Sequence, residues 1–380
     1  WRFFKGSVEG AYKEDFDDNS WEGVNLPHGL EILGDNASGG RNYQGEAWYR
    51  KKFKISDSAR NARLFIYFEG IMGKSKVWIN GKEIVSHYGG YLPFAADITD
   101  VVRRGNNDNT IAVLADNSDD TSYPPGKQQS GLDFSYFGGI YRDVYLYTIP
   151  EVHVRDMRVR TLLDETFTKA DLELVLKGVG NGNVKIRLSK DGEVIANVKG
   201  ALGSESRFVI LVEQPKLWSA EAPELYDLLI QVFDENQKLM EVIPYRVGFR
   251  RFEMKGNIMT LNGKRIVFKG VNRHEFSSAT GRHVSREELI KDLVTMKQNN
   301  INAIRTCHYP DGSELCDEYG IYMIAENNME THGSWDTQAG KEHPDYTNVV
   351  PCDKEEWKGM LLDRVNSMYQ RDKNHPAILI

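Results

Sequence analysis

Residues 285–326, "SREELIKDLVTMKQNNINAIRTCHYPDGSELCDEYGIYMIAE", decide the fold of the C-terminal third of the chain. Ser285 and Glu288 form a capping box ahead of "REELIKDLVTMKQNN". In that stretch Leu289, Leu293 and Met296, with Ile290 and Val294 beside them, make one apolar face at helical spacing. "NAIRTCHYP" reads as a short strand. "GSELCDEYG" reads as a short helix stopped by Gly320, and "IYMIAENN" as the next strand. Strand–helix alternation predicts a parallel sheet, in a barrel or a doubly wound fold. Beyond it, Asp353 and Glu356 predict a cap before "EWKGMLLDRVNSMYQRD", whose Trp357, Leu361, Val365 and Met368 share a face, and "AILI" starts another strand. A complete (β/α)₈ barrel takes about 250 residues. Only about 115 follow Ile266, so half a barrel or a smaller sheet is expected.

Upstream the period changes from helical to alternating. Over residues 1–150, "LFIYFEG", "KVWINGKEIV", "TIAVLAD" and "DVYLYTI" alternate apolar and polar, and Asn80-Gly81 marks a two-residue hairpin. This pattern predicts an antiparallel β-sandwich closed by Pro150. Residues 151–250 repeat the theme in "HVRDMRVRTLL", "ADLELVLKGV", "NVKIRLSK", "GEVIANVKG" and "YDLLIQVFD". About seven strands in about 100 residues fit an immunoglobulin-like sandwich. Residues 251–380 form the third unit.

The 380-residue length predicts two or three domains. Apolar content of 40% and charged content of 27% belong to a soluble globular protein. A net charge of −7, with no Lys/Arg block, argues against a nucleic-acid partner. No apolar run is long enough to span a membrane. Cys307, Cys316 and Cys352 are too few and too clustered for a disulfide framework, and they form no CxxC knuckle. The first residue is Trp1, so the compartment stays open; a cytoplasmic location is favoured over a periplasmic one.

Polar side chains gather where the strands of the last region end. Asn272, Arg273, His274 and Glu275 follow the first strand; Arg305, His308 and Tyr309 the second; Glu326, Asn327, Asn328, Glu330 and His332 the third. In parallel α/β folds these strand ends form the site. Glu330 and His332 are competent ligands for a divalent cation, although E-x-H alone also fits a hydrogen-bonded surface pair. A lone His is more often structural; shared placement at strand ends is what raises His274 and His308. Glu275, Glu326 and Glu330 supply carboxylates for paired-carboxylate chemistry, at a separation the sequence leaves open. Nothing marks a nucleophilic Ser or Cys, a G-x-G-x-x-G or a P-loop. In "GLDFSYFGGIYRDV", Asp133 sits either in a plain turn into a strand or in a loop reaching a neighbouring domain's site.

"GVNRHE", "MKQNNINAIRTCHYP", "LCDEYGIYMIAENNMETHG" and "RDKNHPAI" resemble the β-galactosidases of glycoside hydrolase family 2. The resemblance spans the chain: "AWYRKKF", "VWINGK" and "GGIYRDVYL" are similar to the family's sugar-binding sandwich, and "PKLWSAEAPELYDL" and "YRVGFRRFE" to its immunoglobulin-like domain. The family's β-glucuronidases share "HYP" and "CDEYGI" but lack the E-T-H-G step. The resemblance implies a jelly-roll sandwich, an immunoglobulin-like sandwich and the first half of a TIM barrel. It implies retaining hydrolysis of terminal β-galactosides through a covalent galactosyl-enzyme, with one Glu as acid/base and another as nucleophile. It makes Glu330 and His332 ligands of an active-site Mg2+. His274 and His308 would contact the galactosyl group and the transition state, and Asp133 would reach the sugar and a nearby Na+ or K+. A small β-galactoside or oligosaccharide is the expected partner, and a homo-oligomer the expected state of the complete protein.

Two departures accompany the resemblance. The family's Asn-bearing sugar loop is short here, with Asn42 in that stretch. The W-S-x-G-N-E segment that follows "NHPAILI" in the family, and the nucleophile beyond it, are not among these residues. The expectation is therefore the N-terminal portion of a longer enzyme, inactive alone, because an unclosed half barrel leaves open strand edges. The alternatives are a non-catalytic carbohydrate-binding protein and a family 2 β-glucuronidase.

Overall fold

The computed structural model describes residues 1–30, 43–57, 62–120, 122–124, 137–330 and 355–380. Alternating side chains build the first sandwich from two antiparallel sheets. The larger runs Glu22–Gly23, Arg2–Lys5, Glu46–Phe53, Asn109–Asp116, Lys74–Ile79, Lys82–Tyr88 in spatial order. The smaller runs Phe94–Asp97, Arg63–Phe68, Val144–Ile149. Leu64, Ile66 and Phe68 from the small sheet meet Tyr49, Val77 and Val113 from the large one in a shared core. The Asn80-Gly81 turn has φ of 52° and 78°, the left-handed pair a two-residue hairpin needs. This is the expected jelly-roll sandwich.

Seven strands between His153 and Val247 form the immunoglobulin-like sandwich, three in one sheet and four in the other. Leu172, Leu174 and Leu176 face Ile186, Leu188, Leu228 and Ile230 across its core. Trp218, fully buried, leaves this domain to pack on the third one and donates its indole N–H to the Asp317 carbonyl at 2.9 Å.

The third region opens with a short antiparallel sheet over residues 252–265 and then turns parallel. Gly270–Arg273, Ala303–Thr306 and Tyr322–Ile324 pair side by side, and Ile378 bridges to Met323 in the same sense. Among the described residues this sheet does not close. It is the first half of a TIM barrel. Helix α1 (Arg286–Gln298) carries the complete Ser285/Glu288 capping box. Helix α2 (Glu314–Tyr319) ends at Gly320 in the left-handed conformation. Helix α3 (Glu355–Asp372) follows, and its expected cap at Asp353 lies outside the described residues. Its buried face differs from the expected one. Trp357 and Leu361 are buried, but Val365 is 39% exposed while Arg364 is 1% exposed. The turn that would hold Val365 faces polar carbonyls of neighbouring loops, which a guanidinium satisfies and an isopropyl group does not.

The stretch "RDKNHPAI" is a docking element between the barrel and the immunoglobulin-like domain. Lys373 pairs with Asp156. The Asn374 amide accepts from Val159 N–H and donates to the Met157 carbonyl, both at 2.9 Å. His375 Nδ1 lies 2.5 Å from Asp317 Oδ2. Arg250 donates to the carbonyls of Pro376 and Ile378. The orientation of the half barrel on the sandwiches is thus set by polar groups with specific partners.

Candidate active site

Parallel pairing delivers the three strand ends to one side of the sheet. There His308 Nδ1 lies 2.9 Å from Glu330 Oε1 and 3.5 Å from Glu326 Oε2. The rings of His274 and His308 are 5.7 Å apart and nearly perpendicular, at 76°. Arg305 donates to Glu326 Oε1 at 2.8 Å, and the Glu326 backbone N–H donates to Thr306 Oγ1 at 2.9 Å. The His308, Glu326 and Glu330 side chains are each partly buried, between 13% and 26% exposed. The structure therefore brings His274, His308, Glu326 and Glu330 together at one end of the sheet. His332, Asp133 and Asn42 lie outside the described residues.

The hydrogen bond to Glu330, reinforced by the charge of that carboxylate, raises the His308 pKa above the ordinary imidazole range despite partial burial. A ligand atom from each of His308, Glu326 and Glu330 falls within 4.8 Å of the other two. Two carboxylates at this spacing suit a hard divalent cation, and an imidazole is tolerated. Glu330, the expected metal ligand, belongs to this group. Glu326, beside it, is a carboxylate that the E-x-H reading did not include among the ligands.

Glu275 has a different role from the one expected of it. It is 6% exposed, and its carboxylate receives the Arg142 guanidinium at 3.0 Å. Burial works to raise its pKa, but Arg142 and Arg282 outweigh burial and hold it well below the usual carboxylate range. Asp311 is also buried; burial and the neighbouring Glu275 push its pKa up, although Arg273 donates to it at 2.9 Å. Glu275 is thus an internal counterion for Arg142.

The jelly roll reaches this region from the other side. Arg364 donates to the carbonyls of Asn328 at 2.6 Å and Pro124 at 3.1 Å. Trp357 donates to the Ser122 carbonyl at 2.7 Å. Helix α3 therefore ties the loop that carries Glu330 to Ser122 and Pro124 of the jelly roll. Arg142, Arg282 and Arg364 were not singled out by sequence reasoning. Each acts on carbonyls or rings far along the chain, and no local spacing marks such contacts. Cys307 and Cys316 are buried and free, as expected of packing residues; Cys352 lies outside the described residues.

Comparison with known proteins places this geometry in context. Residues 7–150 match the glycosyl hydrolases family 2 sugar binding domain, residues 152–250 the model described as glycosyl hydrolases family 2, and residues 252–380 the glycosyl hydrolases family 2 TIM barrel domain. The chain is 44% identical over 341 residues to a β-galactosidase of Halalkalibacterium halodurans, covering 87% of this chain and 33% of that protein. It is 38% identical over 400 residues to a β-galactosidase of Streptococcus thermophilus, covering 98% and 38% respectively. The chain thus spans a third to two-fifths of the length of these relatives. A solved β-glucuronidase of Bacteroides uniformis superposes with a TM-score of 0.82 over 100% of this chain and 45% of its own, at 24% identity, which speaks for the fold alone. Among the described residues no helix is long and apolar enough to cross a membrane.

Proposed function

Because the chain belongs to glycoside hydrolase family 2, we propose that the protein to which these residues contribute hydrolyses terminal β-D-galactosides with retention of configuration. The observation that carries this reading is the meeting of His274, His308, Glu326 and Glu330 at the ends of successive parallel strands. His308, anchored on Glu330 through Nδ1, offers its second ring nitrogen to a sugar hydroxyl, and His274 offers a second imidazole with the ring centres 5.7 Å apart. Hydrogen bonds to the glycone that strengthen as the ring flattens lower the barrier to glycosyl transfer. Asp133 would add a carboxylate to the same sugar. Glu330, with His332, would hold Mg2+, which supplies fixed positive charge that organises the surrounding carboxylates. Arg305 holds Glu326 oriented in the same wall.

A β-glucuronidase shares the fold, but the E-T-H-G step and the sequence relatives favour the galactoside. A panel of aryl β-glycosides offered to the whole protein separates the readings. The β-galactoside is expected to be cleaved fastest. Faster cleavage of the β-glucuronide overturns the substrate assignment, and galactose binding with no cleavage by the whole protein points to a non-catalytic binding protein.

A further inference from the structure

Behind His274 lies a buried stack that spans two domains. The His274 Nδ1 is 3.1 Å from the Tyr309 hydroxyl. The Tyr309 ring stacks on Tyr91 of the jelly roll, with centroids 4.1 Å apart and planes within 3°. The Arg282 guanidinium packs against both rings, 3.9 Å from the Tyr309 centroid and 4.7 Å from that of Tyr91. Arg282 is 1% exposed, and its Nη1 donates to the Glu275 carbonyl at 2.8 Å. Arg142 of the jelly roll completes the joint, donating to the Tyr91 carbonyl, the Glu275 carboxylate and the Pro310 carbonyl.

This is an expensive arrangement unless it does something. A buried guanidinium packed among aromatic rings gives up strong hydration for cation–π attraction worth about 2 kcal/mol when desolvated. What it achieves geometrically is to clamp Tyr309, the residue whose hydroxyl fixes one nitrogen of His274. With Nδ1 held, the imidazole plane and the direction of Nε2 are set. Two of the clamping parts, Tyr91 and Arg142, come from the jelly roll, so the barrel does not supply the clamp alone.

We propose that Tyr309 and Arg282 are positioning residues for His274, and that the docked jelly-roll domain preorganises the sugar pocket of the barrel through the Tyr91–Tyr309 stack. This rests on the reading that His274 faces the glycone. Tyr309 and Arg282 touch no substrate in this account; they act through His274.

The test uses the whole protein and an aryl β-galactoside. Tyr309→Phe keeps the stack and removes only the hydroxyl. It is expected to lower kcat/KM by roughly tenfold to a hundredfold, the loss typical when a supporting contact is removed and a reacting geometry loosens. In a His274→Asn background the same change is expected to have almost no further effect, because two residues that act as a unit are strongly non-additive. Arg282→Met is expected to reproduce the loss, with partial recovery in Arg282→Lys; should the Met variant fail to fold, the Tyr309→Phe cycle still decides. The proposal is overturned if Tyr309→Phe is silent, or if it lowers kcat/KM equally with and without His274. If His274→Asn alone leaves kcat/KM intact, the functional reading of His274 has failed instead, and the two failures are distinguishable.

Discussion

Replacing Asn374 tests the claim that the "RDKNHPAI" stretch docks domains. Its side chain behaves like one more peptide unit on the outer edge of strand His153–Leu163, accepting from Val159 N–H and donating to the Met157 carbonyl, each at 2.9 Å. Asn374→Ala removes both hydrogen bonds and leaves two half-buried backbone groups without them. At about 0.5–1.5 kcal/mol net per bond, the loss is about 1–3 kcal/mol. A central value of about 2 kcal/mol lowers local protection about 30-fold. Asn374→Asp is the sharper variant. It retains an acceptor for Val159 but sets a carboxylate oxygen against the Met157 carbonyl oxygen, so it is expected to be no more stable than the Ala variant. Amide hydrogen exchange at Val159 reads the local effect, and a urea titration reads the global one. The reasoning is refuted if the Ala variant keeps the native protection at Val159, or if the Asp variant is as stable as the native protein.

Three further outcomes are expected. Gly320→Ala forces φ of +69° on a residue with a Cβ and brings that Cβ within 2.4 Å of the Ala220 carbonyl oxygen, so a loss of about 2 kcal/mol or more is expected, read as a lowered Tm. Asp164 closes the turn after strand His153–Leu163 by accepting from the Thr166 hydroxyl and from the backbone N–H groups of Lys169 and Thr168, and these bonds pull its pKa from 3.8 to about 2. Because the folded value is depressed, its contribution is complete above about pH 4 and is lost as pH falls toward 2. An NMR titration of the carboxyl with a midpoint near 4 would contradict this. Glu330→Gln in the whole protein is expected to weaken Mg2+ binding more than about tenfold by calorimetry, whereas an unchanged titration would make the Glu330–His308 contact merely structural.

Much of the fold could be read locally. Alternation in "KVWINGKEIV" specifies two strands and their hairpin, because a pleated strand puts successive side chains on opposite faces and Asn-Gly accepts positive φ. Ser285 and Glu288 specify the start of α1, because each satisfies a backbone N–H that the helix leaves open. Parallel pairing then sends His274, His308, Glu326 and Glu330 to the same edge, so the candidate site was legible as residue types at strand ends.

Tertiary structure decided what each of those residues does. Glu275 and Glu326 look alike in sequence, each within three residues of a strand end, yet Glu275 pairs with an arginine 133 positions upstream in another domain, whereas Glu326 pairs with Arg305 of the neighbouring strand and lies beside His308. Val365 has the right period for burial, but Arg364 takes the interior because it faces the carbonyls of Asn328 and Pro124. Tyr309 gains its meaning from Tyr91, which belongs to another domain. Local periodicity reports which face of an element is apolar. Partners more than a hundred residues apart are chosen by how finished domains dock, and docking is settled by the buried charges, carbonyls and ring faces that each surface must satisfy in the other.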